Sequence, residues 1–327
     1  MQTGHAPEPV CPFSFANGDL MKPQHILPRI SAFCLLTSLT ALPAVAQTPV
    51  YTFSSEFSVG VGMDSNVGIS DLDQNTGEED LSLLLGLKLD GEAKATERLK
   101  FRGGYELSQT SYSDDDQFSL QLHRGSLEAI YDLDVVEAGL LYTGVHARLD
   151  GEGYLNFQQI SPYVSRLIDD KVFLRGALEF SEKDFDAADA RDADGQALRG
   201  DAYFFLNGTR NYISVGGKLT EEDAIADEFS FSGQQANIRY TRKADLLDRQ
   251  ARFQIGAGWE NRDYEGIPAA LTDTRADEIL SVNSGLEFEL VGPLSLDVDY
   301  RYQDRSSNLE SADYDEHVGE MRLVAKF

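Results

Sequence analysis

The chain has 327 residues and 55 Asp and Glu against 28 Lys and Arg, a formal net charge of −27. So acidic a chain lacks the basic footprint of a nucleic-acid binder; its charge suits a surface that meets cations, or one that is simply solvated. Mean hydropathy is −0.32, and past Leu42 charged residues interrupt every apolar run, which excludes a transmembrane helix of about 20 residues and leaves a soluble all-β protein or a membrane barrel.

The N-terminus carries an export pattern. Lys22 and Arg29 precede the largely apolar run Ile30 to Leu42, and Ala44-Val45-Ala46 follows. A basic start, a short apolar stretch and a small-x-small site describe a cleavable signal peptide. Residues 1–20 hold Glu8 and Asp19 and no Lys or Arg, so Met21 is the expected start and Gln47 the mature N-terminus. The expected division is residues 1–46 as N-terminal extension and signal peptide and residues 47–327 as one barrel domain. Cys11 and Cys34 both precede the cleavage site, which leaves the mature part without thiol or disulfide chemistry. Phe33 before Cys34 is bulky where a lipoprotein signal wants a small residue.

From residue 51 onward strict period two dominates. Leu81, Leu83, Leu85, Leu87 and Leu89 form one such row, and Ala251, Phe253, Ile255, Ala257 and Trp259 another. The row Leu294, Leu296, Val298, Tyr300, Tyr302 alternates with Ser295, Asp297, Asp299 and Arg301. Fourteen strands are expected, at 51–62, 81–93, 99–112, 117–131, 135–149, 155–168, 171–183, 198–208, 211–221, 229–243, 250–262, 277–290, 294–306 and 315–327. The mixed phase of 117–131 and 229–243 suggests a bulge in each. The count lies between 12 and 16, since bacterial outer-membrane barrels use even numbers.

The connectors sort into two sets. Short ones lie around residues 96–98, 132–134, 169–170, 208–210, 246–248 and 292–293; mostly longer, often acidic ones lie at 71–80, 114–116, 182–194, 221–228, 261–274 and 307–316. Short periplasmic turns alternating with longer extracellular loops mark an outer-membrane barrel. Aromatics agree: Tyr105, Phe180, Trp259 and Tyr302 lead into long loops, while Phe101, Tyr131, Tyr240, Phe288 and Phe327 fall near short turns, as two interfacial belts require. The fold class is therefore all-β, a transmembrane antiparallel up-and-down β-barrel of about 14 strands, in the outer membrane.

Charges in a lipid-facing row would cost about 2–4 kcal/mol each at mid-membrane. The charged rows must then face inward: Lys100, Arg102, Glu106, Arg175, Glu179, Lys218, Arg239, Arg252, Glu287, Glu289, Asp297, Asp299, Arg301, Glu320 and Arg322. Two roles compete for them, a cross-strand salt-bridge network that fills the lumen and a pore lining that orders a permeating solute. Acidic loops would enrich cations at the mouth, and divalent cations could bridge clusters such as Asp114 to Asp116 to lipopolysaccharide phosphates. No spacing matches a calcium loop, so no metal ligand is assigned. The histidines past the signal, His123, His146 and His317, have no second catalytic motif beside them, and neither catalytic nor cofactor residues are assigned.

Two stretches carry a resemblance. Gly60-Val61-Gly62-Met63-Asp64-Ser65-Asn66-Val67 closes the first strand, and Arg301 to Phe327 reads RYQDRSSNLESADYDEHVGEMRLVAKF. These resemble the C-terminal barrel domain of surface lipoprotein assembly modifiers and related uncharacterised, exopolysaccharide-associated outer-membrane barrels. That family carries a helical-repeat domain before its barrel; here a few residues separate the cleavage site from the first strand. A terminal strand ending in Phe327 resembles the signal read by the barrel assembly machinery. The expected function is a porin-like or export channel for small polar or cationic solutes. The alternatives are a lipoprotein translocator-type barrel, a structural barrel with a plugged lumen and, last, an outer-membrane hydrolase.

Overall fold

A computed structural model describes residues 50–327; the expected signal peptide, Met21, Cys11 and Cys34 lie outside the described residues. The strands are β1 (Val50–Asp64), β2 (Gly68–Ile69), β3 (Gln74–Asn75), β4 (Asp80–Lys94), β5 (Leu99–Tyr112), β6 (Leu120–Asp132), β7 (Glu137–Leu149) and β8 (Glu152–Ile168). They continue with β9 (Val172–Phe185), β10 (Ala193–Phe205), β11 (Asn211–Ala224), β12 (Phe231–Leu246), β13 (Arg249–Tyr264), β14 (Ala276–Glu289), β15 (Leu294–Ser307) and β16 (Tyr314–Lys326). β2 and β3 form a separate small hairpin; the other 14 close into an antiparallel barrel in chain order, with β16 beside β1. The expected strand number holds. No helix among the described residues is long and apolar enough to cross a membrane.

Pleat alternation decides the faces. On β1, Phe53, Phe57, Val59, Val61 and Met63 are exposed on the outer wall, and their cross-strand partners Leu81, Leu83, Leu85 and Leu323 are exposed with them. This apolar row continues through Leu127, Leu140, Ile160, Leu178, Leu198, Leu219, Ile238, Ile255, Leu280 and Val282. A face this apolar is stable only against lipid, because a water-soluble barrel would leave far more apolar surface in contact with water than soluble monomers expose.

The barrel has a turn end and a loop end. At the turn end the links are short, and Asp169-Asp170 between β8 and β9 and Leu247-Asp248 between β12 and β13 take positive φ, as in the type I′ geometry that matches strand twist. At the loop end the connectors are longer, with one exception. β7 and β8 are joined by Asp150-Gly151 alone, both at positive φ.

The single register shift lies between β7 and β8, where Ala147 faces Leu155 but Arg148 faces Gly153. Tyr154 is the extra residue. The shift turns it inward against Phe185, ring centroids 5.7 Å apart. This corrects the expectation of bulges in the strands now seen as β6 and β12, whose ladders run without a shift. Their mixed phase comes instead from polar residues standing on the outer wall near the loop end, such as Gln121, His123 and Gln234. Pro162, inside β8, is tolerated because pairing with β9 lapses between Ile160 and Tyr163.

Candidate functional site in the lumen

All fifteen charged residues singled out above stand, by register, on the face opposite the lipid row. Several pair with an opposite charge on another strand, either the neighbour or the next but one. Lys100 meets Glu137 at 3.1 Å, Lys218 meets Glu179 at 2.9 Å, Arg252 meets Glu287 at 2.5 Å and Arg301 meets Glu316 at 2.9 Å. Arg322 pairs with Glu320 on its own strand at 2.8 Å, and Asp297 and Asp299 stand opposite Arg322 and Glu320 on β16. Glu106 stands between Lys88 and Arg124, Arg239 between Ser214 and Gly256, and Glu289 opposite Ser295.

One connected path crosses the inner wall near the turn end. Arg102 bridges Glu92 at 3.0 Å and Glu128 at 3.5 Å. The Tyr163 hydroxyl donates to Glu128 at 2.6 Å, and Arg175 stacks 3.7 Å above the Tyr163 ring. Tyr163 lies flat across Gly139, its partner on β7, where a Cβ would overlap the ring. The alternation had singled out Arg102 and Arg175 but not Glu128 and Tyr163, which complete the path.

Below the loops the lumen holds a cavity of about 480 Å³. Glu56, Glu106, Glu287, Glu289, Asp297 and Asp299 line it together with Lys88, Lys243, Arg252, Arg322 and Lys326. Carboxylates outnumber bases by one, so the cavity attracts small cations weakly and presents hydrogen-bonding groups of both kinds to a polar solute.

The loop end is different. The connector between β1 and β4, expected to project outward as an acidic loop at 71–80, folds into the mouth. Its Val67 and Ile69 are buried. Ile69 and Leu72 pack with Val145, Ala147, Leu155, Phe157 and Phe185, inward-facing residues of β7, β8 and β9. Its Asp73 reaches the other side. Arg275, just before β14, donates to both Asp73 carboxylate oxygens at 2.7 and 2.9 Å, and Arg191 donates at 2.8 Å. Around the ring β14 lies three strands from β1 one way, and β7 to β9 lie four to six strands the other way. A connector that touches both must cross the mouth. It is a strap, further tied by the Asn75 amide to the Ser311 carbonyl at 2.8 Å.

Arg275 and Arg305 share Asp277, at 2.8 and 2.7 Å, and the Ser307 hydroxyl donates to the same carboxylate at 2.6 Å. Arg275 stacks 4.4 Å over Tyr264, and Arg191 stacks 3.9 Å over Phe229. Burial pushes the Asp73 carboxyl up, but the hydrogen bonds and charges of Arg275 and Arg191 outweigh it and hold the group at about 2. The acidic stretch thus does not lie wholly outside: Asp73 is an internal counter-ion. Sequence did hold a signal for this, since Val67, Ile69 and Leu72 are apolar residues inside a loop otherwise read as solvated.

The histidines face outward. His123 and His146 oppose each other on β6 and β7, their rings 6.3 Å apart, with the Tyr105 hydroxyl 2.8 Å from His123 Nδ1. His317 takes the same contact from Tyr300 at 2.8 Å. They belong to the outer wall toward the loop end, not to the lumen. Asp114 and Asp115 give their backbone amides to Asp80 at 2.8 and 2.9 Å. Among the described residues no group of three or more His, Cys, Asp or Glu is arranged to hold a metal.

Residues 226–327, which run from near the start of the β11–β12 connector through β16, match the family described as "Putative beta-barrel porin 2". No curated protein matches the chain. Among solved structures, the outer membrane channel DcaP of Acinetobacter baumannii is similar at a TM-score of 0.53 and 9% identity, over 85% of this chain and 97% of that one. The anion-selective porin from Comamonas acidovorans is similar at a TM-score of 0.51 and 10% identity, over 85% of this chain and 100% of that one. At such identities the likeness is one of fold: this chain, like them, is a closed antiparallel β-barrel. A specific likeness to the lipoprotein assembly modifiers is not among these matches.

Proposed function

We propose that the barrel is a porin-like passive channel of a Gram-negative outer membrane, taking small polar solutes with a weak preference for cations. The observation that carries this reading is the charged cavity of about 480 Å³ inside the barrel, lined by inward-facing acids and bases of β12 to β16, β1, β4 and β5. A barrel built only as a scaffold gains nothing from a polar void, because filling it with side chains would stabilise the fold more. The turn end would lie in the periplasm and the loop end outside the cell. Phe327 supports the assembly reading. Its backbone pairs in both directions with Ser55 at 2.9 and 3.0 Å, and its ring meets Phe57 edge-on at 6.4 Å, so the terminal residue takes part in closing the barrel.

A second reading, a barrel whose lumen is plugged, is favoured by the strap. The two readings describe one molecule if the strap moves. Planar-bilayer recording of the purified barrel in a potassium chloride gradient tests both. Discrete steps with a reversal potential displaced modestly toward the potassium value support the channel. Steps that prefer chloride end the cation preference, and silence in both the natural chain and Asp73→Ala ends the channel reading.

A further inference from the structure

We propose that Arg191, Arg275 and Arg305 at the loop end form a carboxylate-binding site, which Asp73 fills when the strap is seated and which a carboxylate-bearing solute can take in its place. Three observations converge. First, the guanidinium groups are held by neighbours other than Asp73. Asp277, itself almost fully enclosed, accepts from Arg275 Nε and Nη2 at 2.9 and 2.8 Å and from Arg305 Nε and Nη2 at 3.2 and 2.7 Å. Phe229 and Tyr264 support Arg191 and Arg275 from the ring side. Arg275 and Arg305 are therefore shaped in advance, with Arg191 seated on the Phe229 ring beside them, and a charged site so formed binds without losing its gain to reordering.

Second, the charges do not balance without the strap. Once Asp73 leaves, Arg275 and Arg305 share the one carboxylate of Asp277, and Arg191 loses its ion-pair partner. Guanidinium groups with little access to water demand an anion. Asp73 supplies it now, with Arg305 Nη2 a further 3.9 Å away. Third, the contact is forked. Arg275 gives one N–H to each Asp73 oxygen while Arg191 adds a third donor to Oδ2. A planar fork matches a carboxylate and gives chloride no equivalent fit.

Asp73 sits in a connector whose remaining ties to the wall are chiefly apolar packing and single hydrogen bonds to backbone carbonyls, such as Arg191 to Asp71 at 2.7 Å. An external carboxylate competes with it by mass action, and displacement frees the strap at the mouth. The binding site stands whether or not the barrel conducts; its service as a gate rests on the channel reading above. A small organic acid and a uronate unit of a saccharide bear the same recognised group.

The experiment is calorimetric titration of the folded, full-length barrel with succinate and, separately, with trigalacturonate. Asp73→Ala removes the internal ligand and keeps the arginines. It is expected to bind succinate or trigalacturonate at least ten-fold more tightly than the natural chain. Asp73→Ala combined with Arg191→Gln and Arg275→Gln is expected to lose that binding. Should this combination fail the heat-modifiability test for a closed barrel, Arg191→Lys with Arg275→Lys keeps the charge, removes the fork, and is expected to weaken binding ten-fold or more. Tight binding of trigalacturonate alone assigns the site to uronate-bearing saccharides; binding of both assigns it to carboxylates in general. No gain for either probe in Asp73→Ala, or a gain that survives loss of the forks, overturns the proposal. Bilayer conductance is scored separately, so a silent barrel that still binds would remove the channel and leave the site.

Discussion

Arg275 grips both carboxylate oxygens of Asp73, a residue 202 positions earlier in the chain, at 2.7 and 2.9 Å. The pair joins the connector before β14 to the strap after β1, so protonating Asp73 removes a charged tie that holds the strap across the mouth. The Asp73 carboxyl is held below its ordinary 3.8, at about 2. A carboxyl with a depressed value stabilises the folded arrangement above its ordinary value and loses that contribution as pH falls through the depressed one. The contribution is on the order of 2–3 kcal/mol. Conductance of the natural chain should therefore hold steady from neutrality to about pH 4 and rise between roughly pH 4 and 2 as the latch releases. Asp73→Ala should be open already and show no such rise. A natural chain that opens between pH 7 and 5 would place the titrating group elsewhere.

The other end of the strap is held by packing, so it answers to a different substitution. Ile69 is 8% exposed and meets the Val145, Leu155 and Phe157 wall. Ile69→Ala removes buried methyl groups, at a cost of about 2–5 kcal/mol where the site cannot collapse. Because the strap opens locally, the loss should appear as local opening rather than barrel unfolding. Hydrogen exchange at residues 66–77 should accelerate by about 30-fold or more, while β1 and β4 keep their protection. Uniform acceleration over the whole chain, or none, would contradict a separately anchored strap.

How much of this was legible in the sequence depended on the kind of signal. Period two at Leu81 to Leu89 and Leu294 to Tyr302 fixes a face directly, because one residue of slip would put Asp297, Asp299 and Arg301 in lipid. For that reason the fourteen strands and the facing of the fifteen charged residues could be read off. Boundaries were harder. β10 begins at Ala193, five residues before the alternation becomes visible, because Asp194 and Gln196 stand on the outer wall near the loops and look like loop residues. Alternation is silent on where a loop goes once it leaves the strand. Asp73 reads like Asp71 or Glu78 until Arg191 and Arg275 are placed beside it, and those arginines are separated from it by 118 and 202 residues. Glu128 and Tyr163 were missed for a related reason: their role exists only as a contact between β6 and β8, which are not neighbours.

That contact can be weighed. The Tyr163 hydroxyl donates to Glu128 at 2.6 Å, and Glu128 is 7% exposed. Tyr163→Phe leaves a carboxylate short of one donor, and hydrogen bonds to charged groups contribute about 1.5–3 kcal/mol. The temperature at which the unboiled band converts to the unfolded position should fall. Adding Glu128→Gln to Tyr163→Phe should cost clearly less than the two single losses together, since both remove one interaction. Additive losses would mean that the two residues stabilise the wall independently.

The assignment of lipid and lumen faces has its sharpest test at two adjacent residues. Val59 lies within the apolar row of β1, between Leu85 and Leu323 on its neighbours, and is 48% exposed on the outer wall. Ser58, one residue before it, lines the charged cavity near Glu56 and Glu106. An arginine on the lipid side at mid-membrane costs about 2–4 kcal/mol. Val59→Arg should therefore lower the fraction that folds into vesicles. Ser58→Arg places the same charge among carboxylates that can pair with it. It should fold like the natural chain while moving the reversal potential toward chloride, since the acidic surplus of the cavity is small. The backbone, strand and residue introduced are common to both variants, so only the direction of the side chain differs. If Ser58→Arg fails to fold and Val59→Arg inserts normally, β1 is facing the wrong way and the pore lining drawn from its register fails with it.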